Sequence, residues 1–288
     1  MLRFDESMKF FRQSLNSAGT TPGGQGGGQG AQPQISLGGG GSAKKAFDVF
    51  QKNLTLAVPA VALFIAEIVI GVVLVLLAFL IFHIGVSYMT AYSYYGLFAA
   101  GLASIFVVSL TALIEGVLTG VFSSITLIEA DAALSSQPFT LSTAISALRQ
   151  RWNAVITLSV VLGVADLIWS FTGGLEWFLD AITNMVFLVS FVYALEGKFN
   201  GLTGTLFGAA SKVVGWLSKD AVSVLALFVA SIFLGFPVLE FAAMPLAALM
   251  VLIMYEEGEK GDVQAAAQPP ASPPPTPPSP APETTSQP

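Results

Sequence analysis

Six long apolar stretches of this 288-residue chain contain no Lys or Arg, and all twelve Lys and Arg residues fall on one side of them. The stretches run approximately Leu54–His83, Gly96–Ile128, Asn153–Phe171, Leu175–Leu195, Ala221–Phe236 and Val238–Tyr255. At 1.5 Å per residue each is of a length to cross a hydrocarbon core about 30 Å thick. Gly235, Phe236 and Pro237 divide the last two, because a proline interrupts the helical hydrogen-bond ladder. Arg3, Lys9, Arg12, Lys44, Lys45 and Lys52 precede the first stretch, and Arg149 and Arg151 separate the second from the third. Lys198, Lys212 and Lys219 separate the fourth from the fifth, and Lys260 follows the sixth. Short loops rich in Lys and Arg stay in the cytoplasm. The expected topology is therefore a multi-pass protein of the cell membrane with both termini cytoplasmic.

Composition supports a membrane solvent: 54% of residues are hydrophobic and only 10% are charged. The net charge of −6 resides largely in the tail after Tyr255 and in the apolar runs, so no basic surface for nucleic acid follows. Without cysteine, thiolate metal sites, redox pairs and a cysteine nucleophile are excluded. The single histidine, His83, sits beside an outer loop, and no nucleophile-elbow sequence accompanies it, so a hydrolase triad has no support. Neither a metal-ligand spacing nor a phosphate-binding glycine loop occurs, and no cofactor is expected.

Three regions follow from the changes in composition. Residues 1–42 join a short amphipathic segment, Met1–Ser17, to a Gly/Gln-rich linker. Residues 1–18 lack a cleavable-signal pattern, so insertion is expected to be directed by the first span. Residues 43–257 form the membrane domain. Residues 258–288 are acidic and then Pro-rich, an extended tail expected to be disordered and available to a protein partner. Each cytoplasmic connector ends in a segment of helical periodicity: Ala43–Asn53, Leu141–Asn153 and Leu202–Leu217. In the second, Leu141, Ile145, Leu148 and Trp152 form an apolar stripe, with Arg149 and Arg151 off it. Ser42, Thr140 and Asn200 are the expected N-caps. The expected fold is all-α, with six transmembrane helices in three hairpins, each preceded by a cytoplasmic amphipathic helix.

Ile128–Trp152 (IEADAALSSQPFTLSTAISALRQRW) and Tyr193–Trp216 (YALEGKFNGLTGTLFGAASKVVGW) share a pattern. Small residues and an acid end a long helix, a polar turn follows, and an Ala-rich amphipathic helix leads to Trp. In this the chain resembles a prokaryotic six-helix integral membrane family of unknown function. It is more distantly similar to the membrane domain attached to some glycerophosphodiester phosphodiesterases. The similarity spans about residues 43–257. That family often has a Pro before the acid matched by Glu196, where this chain has Tyr193 and Ala194. The catalytic phosphodiesterase domain has no counterpart here, so the resemblance implies a fold and transfers no active residues.

Five carboxylates lie inside the apolar runs: Glu67, Glu115, Asp166, Asp180 and Glu240. Counted from the cytoplasmic ends, all fall about 20–24 Å in, which predicts one layer. An ionised carboxylate at that depth costs at least about 2.5–3.5 kcal/mol on insertion scales, and no Lys or Arg in the spans can offset it. Such acids serve either as a proton or cation pathway or, when neutral, as hydrogen-bonding partners between helices. Gly116 and Gly120 form a GxxxG pair beside Glu115, expected to pack helices closely. His83, Tyr88, Tyr92, Tyr94 and Tyr95 at the outer end, and Trp152 and Trp216 at the inner, are expected interface anchors. By elimination the expected function is non-enzymatic: an integral membrane protein that organises the bilayer or scaffolds a complex. The alternative is a proton- or cation-linked transporter or channel subunit that uses the carboxylates.

Overall fold

The computed structural model describes residues 40–89 and 93–267. The N-terminal amphipathic segment, nearly all of the linker, Tyr92 and the Pro-rich residues 268–288 lie outside the described residues. Among the described residues every regular element is helical. The helices are α1 (Gly41–Lys52), α2 (Val58–Met89), α3 (Ser93–Leu134), α4 (Leu141–Gln150), α5 (Trp152–Trp169), α6 (Glu176–Leu195), α7 (Gly201–Lys219), α8 (Ala221–Phe233) and α9 (Pro237–Ala267), with 3₁₀ turns at Leu54–Ala57 and Gly173–Leu175.

Five helical stretches are long and apolar enough to cross a membrane: Leu54–Ile81, Ser104–Leu134, Trp152–Trp169, Gly173–Leu195 and Val238–Glu259. The fifth predicted run differs: it folds as the 13-residue α8, about 20 Å long. The break after it falls where the sequence places it, with Pro237 opening α9 at the position where a missing N–H costs nothing. Two boundaries extend beyond the sequence expectation. Helix α3 continues past Ile128 to Leu134, because the acids of that segment alternate with alanines that pack inward, such as Ala130. Helix α9 continues past Tyr255 through Ala267, into the region expected to be disordered, and Glu259 on that extension is bonded to Lys198.

The core lies around α6 and α9. Met185, Phe187 to Val192 and Leu195 are buried on α6, as are Ala247 to Tyr255 on α9. Around them α3 packs against α2, α5, α6 and α9, while α8 packs against α6, α7, α9 and α1. The closest helix contact is between α3 and α5. A Cβ on Gly116 would overlap the Gly163 backbone, and one on Gly120 would come within 2.6 Å of Ser159 Cβ and 2.9 Å of Phe191 Cζ. A Cβ on Gly163 would in turn lie 2.7 Å from the Ala112 carbonyl oxygen. Gly116 and Gly120 thus let two helix backbones touch, and Gly163 completes the contact from the other side.

These contacts fix the register along the bundle. Gly163 is level with Ala112 and Leu113, so α5, ending at Trp169, stops about level with Phe106 of α3. The Phe64 and Phe241 rings meet edge-on at 5.2 Å, so α9, starting at Pro237, begins about level with Ile68 of α2. Beyond those levels α2 and α3 continue. Taking residues 93–106 at 1.5 Å each, the pair projects roughly 20 Å past the outer ends of α5 and α9. Val72, Val73, Val75, Leu76, Phe79 and Leu80 on α2, with Leu102, Ile105 and Phe106 on α3, are each more than half exposed there.

The short helices end in one-residue elbows: Asn53 before the 3₁₀ turn that leads into α2, Arg151 between α4 and α5, and Asp220 between α7 and α8. Of the expected caps, Thr140 accepts from Thr143 N–H at 3.3 Å. Ser42 is not a cap: α1 begins one residue earlier, after Gly40, whose φ of +65° suits glycine, and the Ser42 hydroxyl donates instead to Glu257 at 3.0 Å. Asn200 occupies the cap position of α7 without a side-chain bond, and its own N–H donates to Thr205 Oγ1 at 3.2 Å. The predicted stripe on α4 divides. Leu148 joins Ala144 against the bundle, whereas Leu141 and Ile145 face outward.

Candidate functional site

The close approach of α3 and α5 positions two of the five intramembrane carboxylates. Glu115 precedes Gly116, and Asp166 follows Gly163 by one turn, so the two acids fall within Coulombic range of each other. Asp166 is also in range of Asp180 on α6 and of Glu176. Glu67 on α2 is in range of Glu115, and Glu240 on α9 is in range of Glu67. The five acids therefore form one electrostatically connected group across five helices. Glu240 is buried at 4% exposure, Glu67, Asp166 and Asp180 are half-buried, and Glu115 is exposed on the flank of the bundle. Asp180 Oδ1 is buried without a hydrogen-bond partner among the described residues.

Their level in the fold is informative. Asp166 is in the last turn of α5, Asp180 in the second turn of α6, and Glu240 in the first turn of α9. Glu67 and Glu115 are mid-helix in α2 and α3, yet stand at this same level because those two helices continue outward. The group lies at the outer rim of the shorter helices, where α2 and α3 rise beyond it. The Trp169 indole donates to Thr183 Oγ1 at 2.9 Å at this rim, and Trp177 meets Phe236 edge-on at 5.5 Å. His83 lies farther out on α2, exposed and stacked on Phe79 with centroids 6.2 Å apart. Among the described residues no three of His, Asp and Glu converge as a metal-binding group.

A second polar group, at the inner end, went unrecognised in the sequence. Helix α6 ends in a turn closed by Lys198 N–H to Tyr193 C=O at 2.8 Å and Gly197 N–H to Ala194 C=O at 3.1 Å, with Gly197 at φ +76°. The turn aims Glu196 and Lys198 at α9. Tyr255 Oη donates to Glu196 Oε2 at 2.6 Å and accepts from Lys198 Nζ at 2.8 Å. Lys198 also pairs with Glu196 at 2.7 Å and Glu259 at 2.6 Å. Burial works against the Lys198 ammonium, but the hydrogen bonds from Glu196 and Glu259 outweigh it and hold its pKa above the ordinary 10.5. Lys198 and Lys212 both lie over the Tyr255 ring, with Nζ 5.2 Å and 5.4 Å from its centroid. The Arg151 guanidinium rests on Gly197, where a Cβ would approach its Cζ to 2.8 Å.

Two further residues depart from expectation. Trp216 is not an interface anchor: it is 4% exposed, and its Nε1 would be 3.5 Å from a Cβ on Gly258. Trp152 is exposed. Glu129, placed by the sequence at the end of a span, lies inside α3 at 5% exposure, its Oε2 without a hydrogen-bond partner among the described residues. The i, i+4 spacing of Tyr255 and Glu259 was a usable signal for the inner network, but its pairing with the Glu196–Lys198 turn depends on tertiary packing. No family model, curated protein or solved structure matches this chain.

Proposed function

We propose that this is a non-enzymatic, multi-pass protein of the cell membrane that organises the bilayer around it, with both termini cytoplasmic. The observation that carries this is the unequal apolar length of its two sides. The α2–α3 hairpin offers a 32-residue and a 42-residue helix, about 48 and 63 Å long, beside an 18-residue α5 and a 13-residue α8 of about 27 and 20 Å. The projecting part of α2 is apolar on every side, the pattern of a helix that lipid surrounds and not of a helix with one buried face. Mismatch costs a fraction of a kcal/mol per Å, so roughly 20 Å of excess amounts to several kcal/mol, enough for the bilayer to respond. The hairpin draws the hydrocarbon thick on one flank, and α8, as a sixth crossing segment, holds it thin on the other.

The outer-rim carboxylates fit the same scheme, since a bilayer that is thin around α5, α6 and α9 brings headgroups and water to them. The resemblance to the six-helix family belongs to this proposal, and its threefold unit of short helix, one-residue elbow and long helix supports it. The Pro-rich tail is the proposed attachment point for a protein partner. The test is reconstitution in giant vesicles with coexisting thick and thin domains. Accumulation of the protein along the domain boundaries is expected; uniform residence in one phase would refute the proposal.

One observation favours a second reading, a proton- or cation-linked transporter: the five acids form a connected electrostatic group that joins five helices. Against it, Glu115 faces out of the bundle. Proton and sodium flux in liposomes, compared for wild type, Glu67→Gln and Glu115→Gln at matched insertion, separates the two. Flux lost in either variant would establish transport and identify its acid.

A further inference from the structure

We propose that α1, α4 and α7 together form a binding surface for anionic phospholipid headgroups of the cytoplasmic leaflet. This rests on the membrane placement proposed above. Each of the three helices joins its long neighbour through the single residue Asn53, Arg151 or Asp220. A one-residue elbow leaves no slack, so the last turn of each short helix stays at the depth where the long helix starts. All three are thereby held at one level, the inner boundary of the bilayer.

Each helix is two-sided in a way that a purely structural brace does not require. One face packs on the bundle through Ala46 on α1, Ala144 and Leu148 on α4, and Ala209 and Trp216 on α7. The other leaves large apolar groups exposed, among them Phe47, Ile145, Phe207 and Val214. Such rings and aliphatic chains beside cations are the features by which helices lie in a headgroup layer.

Charge selects the lipid. The three helices carry Lys44, Lys45, Lys52, Arg149, Lys212 and Lys219 against a single acid, Asp48. Lys44, Lys45, Lys52 and Arg149 are exposed. The acids contributed to this end by the long helices are drawn inward. Glu196 and Glu259 bond Lys198, Glu257 accepts from Ser42, and Glu129 is buried. Asp220 is likewise engaged, accepting from Ser223 N–H at 3.1 Å. Cations outside and acids inside give a surface complementary to a negatively charged leaflet.

The experiment reconstitutes the full chain in phosphatidylcholine bilayers containing trace spin-labelled phosphatidylglycerol or spin-labelled phosphatidylcholine. The fraction of each label immobilised at the protein is then compared. A preference of about fivefold or more for phosphatidylglycerol is expected, the fold equivalent of one surface cation's attraction. It should fall close to unity in Lys44→Gln/Lys45→Gln/Lys52→Gln/Arg149→Gln and be retained when the three lysines become Arg and Arg149 becomes Lys. In the wild type alone, which removes any question of folding, about 1 M salt should abolish it. Absence of a preference in the wild type, or a preference that survives both the Gln substitutions and high salt, would overturn the proposal. Sorting to thick–thin boundaries depends on α2 and α3 and should persist in the Gln variant, so failure of either idea is recognisable separately.

Discussion

Replacing Gly116 with Ala should loosen the protein, although alanine is the better helix former. A Cβ at position 116 would occupy the space of the Gly163 backbone and stand 3.1 Å from the Ser159 carbonyl oxygen. Neither group is the tip of a flexible side chain, so α3 and α5 must separate by about 1 Å to restore ordinary contact. A gap of that size forfeits a quarter to a half of each atom-pair attraction. Over the contacts of a patch the size of one leucine this is about 2–3 kcal/mol. The alanine's helix preference returns up to about 1 kcal/mol, leaving a net loss of about 1–2 kcal/mol. Gly71 provides the control, since a Cβ there meets nothing within 4 Å. Gly71→Ala should be neutral or stabilising by up to about 1 kcal/mol. The assay is reversible unfolding in mixed micelles by SDS titration, followed by near-ultraviolet circular dichroism. Equal midpoints for the two variants, or a higher midpoint for Gly116→Ala, would refute the close-packing argument.

Three further outcomes can be checked the same way. Ser136 is the non-glycine residue held at positive φ among the described residues (φ 54°), in the turn that closes α3, so Ser136→Gly should stabilise by about 1 kcal/mol. Asp220→Ala removes the acceptor of the Ser223 N–H at the start of α8 and should cost about 1 kcal/mol, with Asp220→Asn close to wild type. Lys198→Met should lower stability at neutral pH by no more than about 1 kcal/mol, since the lysine is partly exposed. Because the folded-state pKa of Lys198 is raised, its contribution is complete below 10.5 and lost as pH rises through the higher folded value. The deficit of the variant should therefore shrink above that range, and a deficit independent of pH would disprove the ionic origin.

Much of the architecture was legible because it depends on local chemistry. The apolar runs, the proline at 237 and the capping hydroxyl of Thr140 act within a few residues, and the helices begin or break where those residues stand. The GxxxG pair pointed to a close contact, but its partner Gly163 has no such motif and was recognisable only in space. Length misled in one place: Ala221–Phe236 is apolar throughout, yet α8 ends at Phe233 because the Gly235–Pro237 turn claims the last residues. The common depth of the carboxylates was read from helix counting. What counting could not supply was that three of them mark the outer ends of their helices while Glu67 and Glu115 do not. The Glu196–Lys198–Tyr255–Glu259 network joins residues about sixty positions apart, and no sequence periodicity encodes such a pairing.

The unequal apolar thickness is open to direct measurement because the chain contains no cysteine, so a single introduced Cys is a unique label. Phe79, on the projecting part of α2, and Phe171, just past the outer end of α5, are both exposed and suited to spin labelling one at a time. In a reconstituted bilayer, collision with oxygen and with a water-soluble nickel chelate reports the depth of each label. A bilayer that steps up along the α2–α3 hairpin places the label at 79 in hydrocarbon and the label at 171 among the outer headgroups. Labels at equal depth, or a label at 79 that is open to water, would contradict it.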